Sequence, residues 1–177
     1  MRRRSSHFAL LLALLLGGNS AYGQDPLGPK PKKPRTLDDY KPRTLKEVAA
    51  KGADAQSRGN KEETMIVHAN ILPSRVRVIY TGRARPIPQI KKEVLRQWAR
   101  LYAGSPEGYT EPYETEMLFV ENGAEHWLAV RKKSLPQIER ELKQGEAVDL
   151  YLIRVGAARV PDEWELMLLV ESFQKPK

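Results

Sequence analysis

The nineteen residues Tyr113–Arg131, YETEMLFVENGAEHWLAVR, decide how the rest of the chain is read. Two runs rich in β-forming residues, Tyr113–Glu121 and Glu125–Arg131, flank Asn122-Gly123-Ala124. Asn-Gly between such runs accepts the positive φ angles of a tight hairpin turn, so this stretch predicts two antiparallel strands. Downstream, Ser134-Leu135-Pro136-Gln137 has a capping serine, a proline in the first turn and a glutamine three residues on. It predicts a short helix to about Lys143 that stops at Gly145, with Leu135, Ile138 and Leu142 facing inward. Two long strands follow, Ala147–Val155 and Glu163–Phe173, joined by a turn around Gly156 and Pro161-Asp162. Their continuous apolar runs, Leu150–Ile153 and Leu166–Val170, predict cover on both faces.

Upstream of the hairpin, Gln89–Ala103 carries Ile90, Val94, Trp98, Leu101 and Tyr102 at helical spacing and ends before Gly104. Before it, Arg75–Thr81 alternates, which places Val76, Val78 and Tyr80 on one strand face. Met65–Ala69 reads as a short leading strand. The order is therefore strand, helix, hairpin, short helix, hairpin. It predicts an α+β fold of mostly antiparallel β structure: a small OB-like five-stranded barrel with one inserted and one short helix. The alternative is a ferredoxin-like split βαβ sandwich with an extra edge strand.

This domain is expected to span residues 64–177. Residues 24–63 are rich in Pro, Lys, Asp and Gly and poor in core formers, the composition of a disordered basic tether. Within it KPRTL occurs twice, at Lys33–Leu37 and Lys41–Leu45. Thr44-Leu45-Lys46-Glu47 has capping-box spacing and predicts the start of a short helix. Residues 1–23 read as a cleavable signal peptide, with three arginines, an apolar run from Phe8 to Leu16, and Ala21-Tyr22-Gly23 before the cut. An apolar run of nine residues is too short for a spanning helix, which needs about 20. With no cysteine in the chain, neither a disulfide framework nor a lipidated cysteine is available, and a bacterial periplasmic or secreted location is expected.

The net charge of +8 resolves into parts. Residues 1–23 hold three basic and no acidic groups, residues 24–63 ten against seven, and residues 64–177 seventeen against fifteen. The folded part is close to neutral, which with export argues against nucleic acid as partner.

No zinc spacing, nucleophile elbow, P-loop or dinucleotide fingerprint is present, so no cofactor, metal or catalytic residue is assigned. Neither His68 nor His126 lies within a helical turn of another histidine or cysteine. Glu114 and Glu116 share a strand face by alternation and are the one carboxylate pair on which a hydrolase acting on wall sugars could rest. Charge is also segregated. Eight basic residues and one acid lie between Arg75 and Arg100, and six acids and no base between Leu101 and Val130. One expectation is internal pairing of Arg75 and Arg77 with Glu114 and Glu116 across neighbouring strands. The other is that Arg83, Arg85, Lys91 and Lys92, at a Pro-rich loop and a helix start, form an anion-binding rim. The functional expectation is an exported, non-enzymatic binding or structural module of the envelope, contacting a protein or an anionic polymer. The hydrolase and a nucleic-acid-binding barrel are the alternatives.

Overall fold

The computed structural model describes residues 35–50, 64–103 and 107–176. The expected signal peptide, residues 1–23, and the remainder of the expected tether lie outside the described residues. The elements in order are β1 (Lys41–Pro42), α1 (residues 45–50), β2 (Met65–Val67), β3 (Ser74–Pro86), α2 (Gln89–Trp98), α3 (Glu107–Thr110), β4 (Tyr113–Glu121), β5 (Ala124–Arg131), α4 (Leu135–Glu141), β6 (Ala147–Val160) and β7 (Glu163–Gln174). No helix among the described residues is long and apolar enough to cross a membrane.

The strands form one mixed sheet in the order β1-β3-β4-β5-β7-β6-β2, and β3 also pairs with β6. Five strands are thus each bonded on two sides, and following the ladders from β3 through β4, β5, β7 and β6 leads back to β3. All these ladders are antiparallel except β5 with β7, which is parallel and holds only at Ala129↔Leu169 and Val130↔Val170. The α+β class expected from the sequence is what the chain adopts.

The hairpin forms with Glu121 opposite Ala124, and Asn122 and Gly123 at φ of 51° and 83°. Strand β3 buries alternate residues, Val76, Val78 and Tyr80 among them, and continues past the expected Thr81. A bulge with Gly82 at φ 75° lets it reach Pro86. One apolar cluster gathers Val76, Val78, Met117, Phe119, Leu128, Val130, Leu150 and Val170 from one face of the strands with Ile138 of α4 and Leu142 just after it. The other face of β6 and β7, through Ile153, Val155, Met167 and Leu169, packs against Val94, Leu95 and Trp98 of α2. Gly156 lies where these layers meet. A Cβ there would run into the Ile66 carbonyl oxygen and Val94 Cγ1.

Helix α2 departs from the expected pattern. Its buried stripe is Lys91, Val94, Leu95 and Trp98, and after Trp98 the backbone widens into a π turn over Ala99–Ala103. That change of periodicity rotates Leu101 and Tyr102 away from the sheet. They are 62% and 45% exposed.

The domain boundary also needs correction. Residues 35–50, assigned by composition to the tether, pack on the body: β1 pairs with β3, and Leu45 and Val48 are fully buried in the first cluster. Average composition hides them because three apolar side chains, Tyr40, Leu45 and Val48, suffice to dock the segment. Both repeat copies work the same way. Asp39 accepts from the Thr36 amide and hydroxyl, and Glu47 from those of Thr44, while the Glu47 amide donates back to Thr44 Oγ1. Each copy's arginine then holds the body, Arg35 on the Glu171 carboxylate and Arg43 on the Pro73 carbonyl. The amides of Leu45 and Lys46, free donors at the start of α1, are taken by the buried Glu121 carboxylate.

Candidate functional site

The four cations of the expected rim are divided by the fold. Arg85 stands opposite Glu116 in the β3–β4 register, and its guanidinium donates to Glu116 at 2.9 Å and also pairs with Glu165 of β7. Lys91, on the buried stripe of α2, reaches the same two carboxylates, Glu116 and Glu165. The side chains of Lys91 and Glu116 are both 0% exposed. Two positive and two negative groups thus form a closed quartet at the junction of β3, α2, β4 and β7. A buried charge persists only when paired and hydrogen-bonded, and this arrangement supplies both conditions. Arg83 remains outside, bridged to Glu125 at 3.3 Å with both side chains exposed. Lys92 is half-buried beside a cavity of about 200 Å³ shared with Arg96, Glu111 and Glu114. No single anion-binding rim is assembled from the four residues.

The expected cross-strand pairing takes other partners. Arg77 meets Asp149 of β6 through two hydrogen bonds of 2.7 and 3.0 Å, and that contact holds the Asp149 carboxyl below its usual pKa. Arg75 faces Tyr151 in the ladder. The sequence order made β4 the natural neighbour of β3. The β3–β6 ladder joins residues 68 to 78 positions apart, and local pattern carries no sign of it. Glu114 and Glu116 do not share an environment either. A register shift between Tyr113 and Thr115 breaks the alternation, leaving Glu114 exposed against Lys132 while Glu116 is enclosed in the quartet.

A second ionic cluster fixes the N-terminal strap. Glu171 accepts hydrogen bonds from Arg35 and from the Tyr40 hydroxyl, and lies 3.7 Å from Arg131. Arg131 in turn donates to the Tyr113 hydroxyl at 3.0 Å. Burial first, and then the Glu171 carboxylate, push the Tyr40 phenol up to about 12, and burial does the same for Tyr113.

The feature that sequence reasoning missed is a groove of about 410 Å³ between β5 and β7. From their two shared rungs towards their N-terminal ends these strands pair only with their outer neighbours, β4 and β6, and the gap opens between them. Its sides are Glu125–Leu128 and Glu163–Leu166 with Leu168, and Ala49 of α1 also lines it. Leu128, Leu166 and Leu168 belong to the inner apolar cluster. Trp127 alternates to the opposite face, where Arg85 lies 4.3 Å and Arg83 5.8 Å from its ring centroid. Arg159 lies 5.5 Å from the ring of Trp164. Both indoles thus already attract cations. Burial lowers the pKa of His126 in spite of Glu121, so the imidazole adds no positive charge near neutral pH. The groove lining therefore carries three carboxylates and no lysine or arginine. Only the tryptophans at 127 and 164, both within strands yet not in the core, could have hinted at it.

No protein-family model matches the chain, and no curated protein matches it in sequence.

Proposed function

We propose that this chain is an exported binding module of the cell envelope that contacts a protein partner, and that its body is an OB-like barrel opened along the β5–β7 seam. The ring of ladders with a parallel β5–β7 step supports the barrel over a split βαβ sandwich, and α4 occupies the place between the third and fourth ring strands expected of it. Export rests on the signal-like residues 1–23 and the cysteine-free composition. The single observation that carries the binding reading is the groove. It has the size of a ligand site, with an apolar floor and a few polar groups at its rim.

A non-enzymatic role is favoured over a hydrolase because Glu116 is neutralised by Arg85 and Lys91, and Glu114 stands apart from it. The anionic-polymer reading loses its support with the division of Arg83, Arg85, Lys91 and Lys92.

The test is made in native envelopes with a photo-crosslinking residue at position 163, on the exposed groove rim, and a control at position 133. A discrete protein adduct from 163 and none from 133 is expected, on a mature chain beginning at Gln24. Identical adduct patterns from both positions, or none from either, would remove the groove as the contact surface. An unprocessed N-terminus would remove the export reading.

A further inference from the structure

Resting on the reading of the groove as a protein-contact site, we infer that its occupant is an extended basic segment of the partner, added as a strand between β5 and β7. Among the described residues, β5 over 125–128 and β7 over 163–168 have ladder partners on one side only, and the free sides face the groove. Backbone N–H and C=O groups along such an edge are strong unused donors and acceptors, and an added chain satisfies them. Because β5 and β7 run parallel, a segment antiparallel to one is antiparallel to both, the better-bonded arrangement per residue.

The lining sets the character of the segment. Successive side chains of an extended chain point to opposite faces. One set would meet Leu128, Leu166 and Leu168 on the inner side, and the other would meet Trp127, Glu125, Glu163 and Glu165 on the outer side. The outer set offers the Trp127 indole, beside which Arg83 and Arg85 already lie, and three carboxylates; a carboxylate without an ion-pair partner attracts lysine and arginine side chains and repels acids. Glu165 is shared with the quartet and Glu125 with Arg83, whereas Glu163 makes no ion pair with a described residue. The segment that fits alternates basic and apolar residues.

The experiment uses the full mature chain and synthetic peptides of about eight residues, the length of β5. Binding is followed by tryptophan fluorescence and by hydrogen exchange. A Lys-Val alternating peptide should bind, protect amides 125–128 and 163–168 from exchange, and lose affinity when sodium chloride is raised above physiological strength. The E125Q/E163Q double variant, which changes only exposed groups, should weaken it by about tenfold. A Glu-Val peptide should not bind, and N-methylation of alternate residues of the Lys-Val peptide should abolish binding. Equal or tighter binding of the acidic peptide, or of the N-methylated one, would overturn the inference. A specific crosslink from position 163 in envelopes combined with no binding of the basic peptide would overturn it while leaving the module reading in place. Failure of both would remove both.

Discussion

Lys91 and Glu116 show how a single pair can be read wrongly as surface. Their enclosed charges are balanced within the quartet, so removing one leaves a net charge uncompensated in a low-dielectric interior even though Arg85 still reaches Glu116 and Glu165 still reaches Lys91. Lys91→Met alone and Glu116→Gln alone should each lower unfolding free energy by about 3–5 kcal/mol, while Lys91→Met with Glu116→Leu should come close to the parent, as read from urea titrations. Arg83→Gln should shift stability by less than about 1 kcal/mol because its ion pair with Glu125 is solvent-exposed. The buried phenols give a pH signature. With the folded pKa values of Tyr40 and Tyr113 raised to about 12 from 10.0, the unfolded chain releases its phenolic protons first as pH rises. Their stabilising contribution is complete below pH 10 and is lost between about 10 and 12. In denaturation midpoints collected across that range, Tyr113→Phe should flatten the decline, and an unchanged slope would refute the assignment. Sequence alone marked Arg85 and Lys91 as unusual, but as cations awaiting a ligand. Their carboxylate partners lie on β4 and β7, and strand pairing across those distances leaves no local trace.

At the scale of elements, local chemistry was a good guide wherever it was sufficient in itself. Asn122-Gly123 fixes the hairpin, Gly145 at φ 87° ends the turn after α4, and alternation in β3 names its buried face. It failed where tertiary packing changed the period. The π turn after Trp98 released Leu101 and Tyr102 from the stripe, and the shift after Tyr113 separated Glu114 from Glu116. Gly156 read as a turn, yet it lies within β6 and lets β2 and α2 approach the strand backbone. Gly156→Ala should therefore destabilise the protein by about 1–3 kcal/mol through overpacking. Hydrogen exchange should rise in β2 and α2 before it rises in β4 and β5. Uniform loosening, or none, would contradict that placement.

For the whole molecule, the composition shift at Thr64 misplaced the edge of the folded body. The strap through Tyr40, Leu45 and Val48 contributes core side chains, and Leu45→Ala should cost about 2–5 kcal/mol, as for other buried leucines. Removal of residues 24–34 should leave the melting temperature unchanged, and removal of residues 24–50 should lower it sharply. Equal melting temperatures for the two truncations would return the strap to the role of a spacer. The pairing of β3 with β6, the ladder that leads back to β3, also imposes a schedule on synthesis. Ser74 finds its partner Leu152 only after some 78 further residues have been added. At about 5–20 residues per second, one side of β3 waits roughly 4–16 s as a naked hydrogen-bonding edge. A ribosome-associated or targeting factor that shields nascent chains has its greatest value for this protein during that interval.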